Sequence, residues 1–223
     1  LINSLAYRHS SEVPTDGDRV VTITSLKDDG GTADGGADTR TFSLATTVDV
    51  IPVNDAPDLS ATVGGTYVEQ GSVLQFLSGA AVSDVDATQF NGGSLTFALG
   101  SYFTGDTLSI VVGSGITLSG STVSYLGNEI GTVSGGNAAN LVVSFTTTNA
   151  TYAAVVALTQ QIGYASTSEN PTWAAAQPTR SVTVTLNDGA HSGTGGNKAD
   201  TTLVTGTFSV TGVNDAPTLA GLD

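Results

Sequence analysis

The chain has no cysteine, no methionine, two histidines and six lysines and arginines in 223 residues. Without cysteine there is no disulfide, no thiolate zinc site and no cysteine nucleophile. Leu rather than Met stands at position 1, which points to a fragment or a processed product. No run reaches the roughly 18 apolar residues of a membrane span, and no signal-peptide pattern is present, so any export signal is expected outside the segment. Charged residues make up only 12%, yet the formal net charge is −14. A surface so short of cations repels nucleic acid and anionic membranes, and it either attracts divalent cations or simply keeps the chain in solution. The G-x-S-x-G, H-E-x-x-H and P-loop patterns are all missing. His9 and His191 are far apart, and Gly193 to Lys198 lacks phosphate-loop spacing. The expectation is a protein that is not an enzyme.

What is present is glycine, 28 residues of it, with Thr, Ser and Val throughout. That mixture suits short strands joined by tight turns. Leu95, Phe97 and Leu99 alternate on one face, as do Leu108, Ile110 and Val112. Residues 116–133 read as a meander with two-residue turns at Gly120-Ser121 and Gly127-Asn128. Leu141 to Phe145, Val182 to Leu186 and Val204 to Val210 are further strands, and Phe42 to Val50 is the strand answering the last of these. Tyr152 to Ile162 is alanine-rich, with Thr151 placed as an N-cap, and predicts one short helix. Many short strands and one helix predict an all-β fold of the sandwich type.

The chain repeats itself. Val53-Asn54-Asp55-Ala56-Pro57 returns as Val213-Asn214-Asp215-Ala216-Pro217, 160 residues later. Leu26-Lys27-Asp28 answers Leu186-Asn187-Asp188, Arg19 to Thr24 answers Arg180 to Thr185, and Ser11-Glu12-Val13-Pro14 answers Ser168-Glu169-Asn170-Pro171. Residues 1–57 therefore read as the C-terminal part of one repeat, 58–217 as a complete repeat, and 218–223 as the start of another.

Hard oxygen donors gather near the linker. Asp84-Val85-Asp86 would place two carboxylates on one side of an extended segment. Glu69 follows the linker and offers a bidentate carboxylate. Asn54 and Asp55 lie between Pro52 and Pro57, which stiffen the chain. Asp28 or Asp29 ends a strand of the preceding copy. Ca²⁺ takes six to eight oxygens, and Asn54 or Asp55, Glu69, Asp84 and Asp86, with Asp28, form the expected set at the repeat junction. Asp28, Asp29, Asp34 and Asp38, set among glycines, read as a solvated hairpin loop; the counterpart loop keeps Asp188 and Asp200, with Asn197 between. Trp173 and Tyr102 read as packing or rim residues.

These motifs resemble the cadherin-like repeats of giant bacterial surface adhesins. The residues that carry the resemblance are Val-Asn-Asp-Ala-Pro closing each unit, Glu69, Ser83-Asp84-Val85-Asp86-Ala87, Phe90 to Leu95, Ile130-Gly131-Thr132 and Tyr164 to Pro171. The linker is similar to the cadherin D-x-N-D-N-x-P junction, differing at Val53 and Ala56. The resemblance implies tandem Ig/cadherin-like β-sandwiches with one short helix per repeat. It also implies export to the cell surface and a part in attachment and biofilm. A calcium-stiffened spacer is the first functional expectation. A subunit of a surface layer or filament, and a tip binding carbohydrate or another cell, are the alternatives. Expected partners are neighbouring repeats and, for the filament, other copies of the chain.

Overall fold

A computed structural model describes residues 5–173, 176–189, 196, 199 and 203–217. His191, Asn197, Lys198, Asp200 and the opening segment 218–223 lie outside the described residues. The chain divides into two compact units, residues 1–53 and 54–223.

In the first unit, β1 (Gly17–Lys27) and β2 (Thr39–Val50) form one antiparallel hairpin. A 3-10 turn at Ala33–Gly35 lies in its connecting loop. Lys27 pairs with Asp38 at 3.1 Å, and Asp28, Asp29 and Asp34 are exposed, so the loop is a solvated one. One face of the hairpin carries an apolar groove of about 540 Å³ lined by Leu5, Tyr7, Val21, Ile23, Leu44 and Val48. Leu44 is 54% exposed, whereas its counterpart in the repeat, Val204, is buried.

The second unit is all-β with one helix. Its largest sheet has the order β4 (Thr66–Val68), β15 (Val204–Thr211), β14 (Thr179–Asn187), β7 (Ser94–Leu99), β12 (Leu141–Phe145), β11 (Asn128–Gly135), β10 (Thr122–Tyr125), β9 (Ile116–Ser119). Pairing is antiparallel except between β15 and β4. A three-stranded sheet joins β5 (Leu74–Gln75), β13 (Ile162–Ser166) and β8 (Asp106–Ile110), and β3 (Asp58–Val63) pairs with β6 (Leu77–Ser83). Alternation puts Leu95, Phe97 and Leu99 of β7 inside, together with Leu108 and Ile110 of β8 and Val182, Val184 and Leu186 of β14. The expected third member of the β8 face, Val112, is 63% exposed, because β8 ends at Ile110. Phe76 stacks on Phe208 with ring centroids 5.1 Å apart, and Tyr164 lies 4.7 Å from Phe208. These apolar faces enclose one continuous core, as sheets that share a buried interior must.

Two local expectations shift by small amounts. The second meander turn is Leu126-Gly127 rather than Gly127-Asn128. Tyr125 pairs directly with Asn128, so the two loop residues lie between them, with φ of 49° and 82°. The helix α1 (Tyr152–Gln160) starts at its Thr151 cap but stops before Ile162. Ile162 instead opens β13 opposite Ile110, where the three-stranded sheet supplies the hydrogen bonds a further helical turn would have made.

Candidate cation-binding clusters

Strand direction decides which acidic residues meet. Asp58 pairs with Ser83, so the linker entering β3 arrives where β6 ends and Asp84 begins. The close of β14 brings Asp188 to the same place. That approach is tight: a Cβ on Gly93 would lie 2.0 Å from the Asn187 carbonyl oxygen, so only glycine allows it. Carboxylate oxygens of Asp84, Asp86 and Asp188 lie within 4.8 Å of one another.

The predicted extended Asp84-Val85-Asp86 segment is a turn instead. Asp84 Oδ1 accepts the backbone N–H groups of Asp86 and Ala87, both at 3.0 Å. Asp residues commonly fold the following backbone this way. The turn still delivers both carboxylates to one spot. Asp84 Oδ2 is buried with no hydrogen-bond partner. Burial pushes the Asp84 carboxyl above its ordinary value, and the neighbouring Asp86 charge adds to this, against the two backbone N–H groups. Burial, with the charge of Asp84 beside it, likewise raises Tyr152, whose hydroxyl donates to the carbonyls of Asp84 and Ala87.

The linker is built into this cluster. Asn54 is 2% exposed, and its side-chain amide donates to Asp188 Oδ2 and to the Asp55 carbonyl, both at 2.7 Å. The Asp55 backbone N–H donates to Asp86 Oδ2 at 3.1 Å. Asp55 thus contributes its backbone here; its carboxylate belongs to neither of the clusters found among the described residues.

Glu69 lies elsewhere. Strand β4 runs parallel to β15, with Val68 beside Thr211, so Glu69 emerges where β15 runs out toward the second copy of the linker. There Glu69, Glu169 and Asp215 present carboxylate oxygens within 4.8 Å of one another. Glu69 is 4% exposed; its Oε2 accepts the Val213 N–H at 2.6 Å, and its Oε1 is buried without a hydrogen-bond partner. Gln70, held at φ 57°, donates to Glu169 Oε2 at 2.8 Å. The cluster borders an open cleft of about 660 Å³ lined also by Thr172, Pro178 and Gly212.

Because β14 and β15 are antiparallel, Asp188 follows one end of that ladder and Asp215 the other. Nine residues of β14 at about 3.3 Å each put the ends roughly 26 Å apart. One ion cannot bridge that distance, so the expected single set divides in two. Asp28 belongs to the first unit, where it is exposed and its Oδ1 accepts the Gly30 N–H at 2.9 Å.

Three of the six clustered carboxylates are outside the ligand set expected from the sequence: Glu169, Asp188 and Asp215. Each has a repeat counterpart, respectively Glu12, Asp28 and Asp55. Carrying every acidic position from one copy to the other would have found them. The two linkers also share a local conformation, since Asn214 donates to the Asp215 carbonyl at 3.1 Å as Asn54 does to that of Asp55.

No family model, curated protein or solved structure matches this chain.

Proposed function

We propose that this segment is a calcium-stiffened structural spacer of a large secreted adhesin built from cadherin-like tandem repeats. It works outside the cell, at the cell surface, in attachment and biofilm formation. One observation carries the reading: each copy of the Val-Asn-Asp-Ala-Pro linker in the second unit abuts a cluster of three carboxylates. Like charges held that close repel one another unless a cation or a proton intervenes. Oxygens on opposite sides of a Ca²⁺ shell are about 4.6–5.2 Å apart, and a spread of up to 4.8 Å fits within that span. An all-oxygen donor set with no histidine or cysteine favours a hard cation over zinc or copper. Cation binding at a cluster would also order the linker backbone that hydrogen-bonds to it.

Calorimetric titration of the full chain with CaCl₂ tests this, together with melting in chelator and in millimolar Ca²⁺. Saturation to a hundred times the dissociation constant stabilises a fold by about 2.7 kcal/mol. For a unit of this size that is a rise of roughly 5–10 °C. No heat and no change in melting would rule the reading out.

The exposed apolar groove on the first unit favours a second reading, a subunit of a surface layer or filament in which another copy covers that groove. Sedimentation separates the two: a spacer stays monomeric at concentrations where such a subunit assembles.

A further inference from the structure

Glu169 lies on the loop between β13 and β14, whose described residues are 167–173 and 176–178, and it is itself exposed. An exposed glutamate on a loop keeps its ligand geometry only if the loop backbone is anchored. Strand contacts hold its ends, through Thr167 N–H to the Gly105 carbonyl and Val210 N–H to that of Pro178, and a buried ion pair anchors it from within. Arg180 is 1% exposed and Asp106 is fully buried. Arg180 Nε donates to Asp106 Oδ2 at 2.6 Å and Nη2 to Oδ1 at 3.2 Å. Asp106 is in turn fixed by the Tyr164 hydroxyl at 2.6 Å and the Phe103 N–H at 3.2 Å.

Neutralising Asp106 occupies only one side of the guanidinium. The remaining donors go to backbone carbonyls: Nη2 to Pro171 at 2.8 Å, and Nη1 to Gln177 at 3.1 Å and Thr179 at 3.3 Å. Pro171 is two residues from Glu169, and Gln177 is at the far end of the loop. One side chain therefore holds both stems. The ring of Phe103, 4.4 Å from the guanidinium carbon, covers its face. A lysine ammonium is a point donor and cannot serve these carbonyls and the carboxylate together.

We propose that Arg180 is a positioning residue for the Glu69, Glu169 and Asp215 cluster. Backed by Asp106, it clamps the Pro171 and Gln177 carbonyls and so holds Glu169 within cation-binding distance of Glu69. This rests on the cation reading above. Arg180 touches no ligand oxygen of the cluster; it acts through the loop.

The test uses the full chain and Ca²⁺ alone. The wild-type chain is titrated first, and absence of binding there refutes the cation reading and this inference with it. The remaining variants carry D84N and D86N, which leave the Glu69 cluster as the one intact carboxylate cluster among the described residues. In that background R180K keeps a positive charge beside Asp106 but releases the loop. Supporting residues around metal sites typically change affinity by about 10- to 100-fold, and a loss of at least about tenfold is expected. The deciding readout is the cycle with Glu169→Gln. If Arg180 works through Glu169, R180K with E169Q binds no more weakly than E169Q alone. Should R180K fail to fold, the neutral pair Arg180→Met with Asp106→Asn takes its place in the same cycle, since uncharged replacements for a buried ion pair are generally tolerated. Unchanged affinity in the Arg180 variant, or losses that simply add, would overturn the inference while leaving the cation reading intact.

Discussion

Glu69 and Val213 are 144 residues apart in the chain, yet the carboxylate of one accepts the backbone N–H of the other at 2.6 Å. That bond ties the start of the second unit to the linker that closes it. It uses one carboxylate oxygen and leaves the other, Oε1, buried without a hydrogen-bond partner. Glu69→Gln keeps an oxygen to accept the Val213 N–H while removing the charge. Its melting temperature in chelator should equal or exceed that of the wild type. Its Ca²⁺ affinity at this cluster should fall by at least about tenfold, on the scale by which even supporting residues of metal sites act. Calorimetry with and without the D84N and D86N changes reads this directly.

Asp84 gives a pH-dependent counterpart at the other cluster. Its carboxyl is raised above the ordinary 3.8, chiefly by burial. The folded chain therefore holds this proton more tightly than the unfolded chain. The associated stability is fully present below the ordinary value and is lost as pH rises through the folded one. Asp84→Asn stays neutral at every pH, and its Oδ1 can still accept from Asp86 and Ala87. In chelator at pH 7 the variant should melt above the wild type, with the gap closing as pH falls toward 4. In millimolar Ca²⁺ the order should reverse, because the variant has lost a ligand. Melting curves at three pH values suffice, and a variant less stable than wild type in chelator at pH 7 would contradict the repulsion argument.

The buried Arg180 and Asp106 pair predicts a large single-site effect. Asp106→Ala leaves a guanidinium in the core with no counter-charge and removes the acceptor of the Tyr164 hydroxyl. Breaking such a pair from one side costs about 3–5 kcal/mol. The expected fall in melting temperature is roughly 6–20 °C. Surface neutralisation at Asp38, whose partner Lys27 is 70% exposed, should change stability by no more than about 1 kcal/mol.

The all-β class was legible because alternation with period two is a local signal. Leu95, Phe97 and Leu99 announce a buried face whatever lies across from them. The Thr151 cap announced the start of the helix, but its end was set by Ile162 pairing with Ile110, a contact 52 residues away that periodicity does not register. The site was legible residue by residue and not as an assembly. Asp84 and Asp86 are neighbours in sequence and stay neighbours in space. Glu69 follows the first linker in sequence but sits beside the second, because β4 runs parallel to β15. Parallel pairing joins strands from distant parts of a chain, and no local pattern marks it.

Residues 1–57 should not fold on their own. Their described regular structure is one hairpin and a 3-10 turn. Val21, Ile23 and Leu44 line its exposed groove, while the repeat counterparts Val182, Val184 and Val204 are in the core of the second unit. A lone two-stranded hairpin is marginally stable at best. A peptide of residues 1–57 should show broad, non-cooperative melting by circular dichroism. A sharp transition from a monomer would show that the hairpin finds its own core.

The proposed spacer function makes a prediction about shape. The linker has prolines at Pro52 and Pro57, and within the second unit its Asn54 and Asp55 bond directly to the carboxylates of a cluster. Those carboxylates repel one another when no cation is present, which works against the geometry that the linker bonds require. Under the proposed reading Ca²⁺ would remove the repulsion, so linker order should depend on calcium more strongly than the sheets do. In an array of stacked repeats, end-to-end stiffness is set by such junctions, because each repeat meets only its neighbours. A protein carrying four copies of residues 58–217 should scatter X-rays as an extended rod in millimolar Ca²⁺. In chelator it should become a more flexible chain with unchanged sheet content. Changing Asp84 and Asp86 to Asn in every copy should give the flexible profile even in calcium. A compact particle in both conditions would refute the spacer, and tight binding of one repeat to a glycan array would favour a ligand-binding tip.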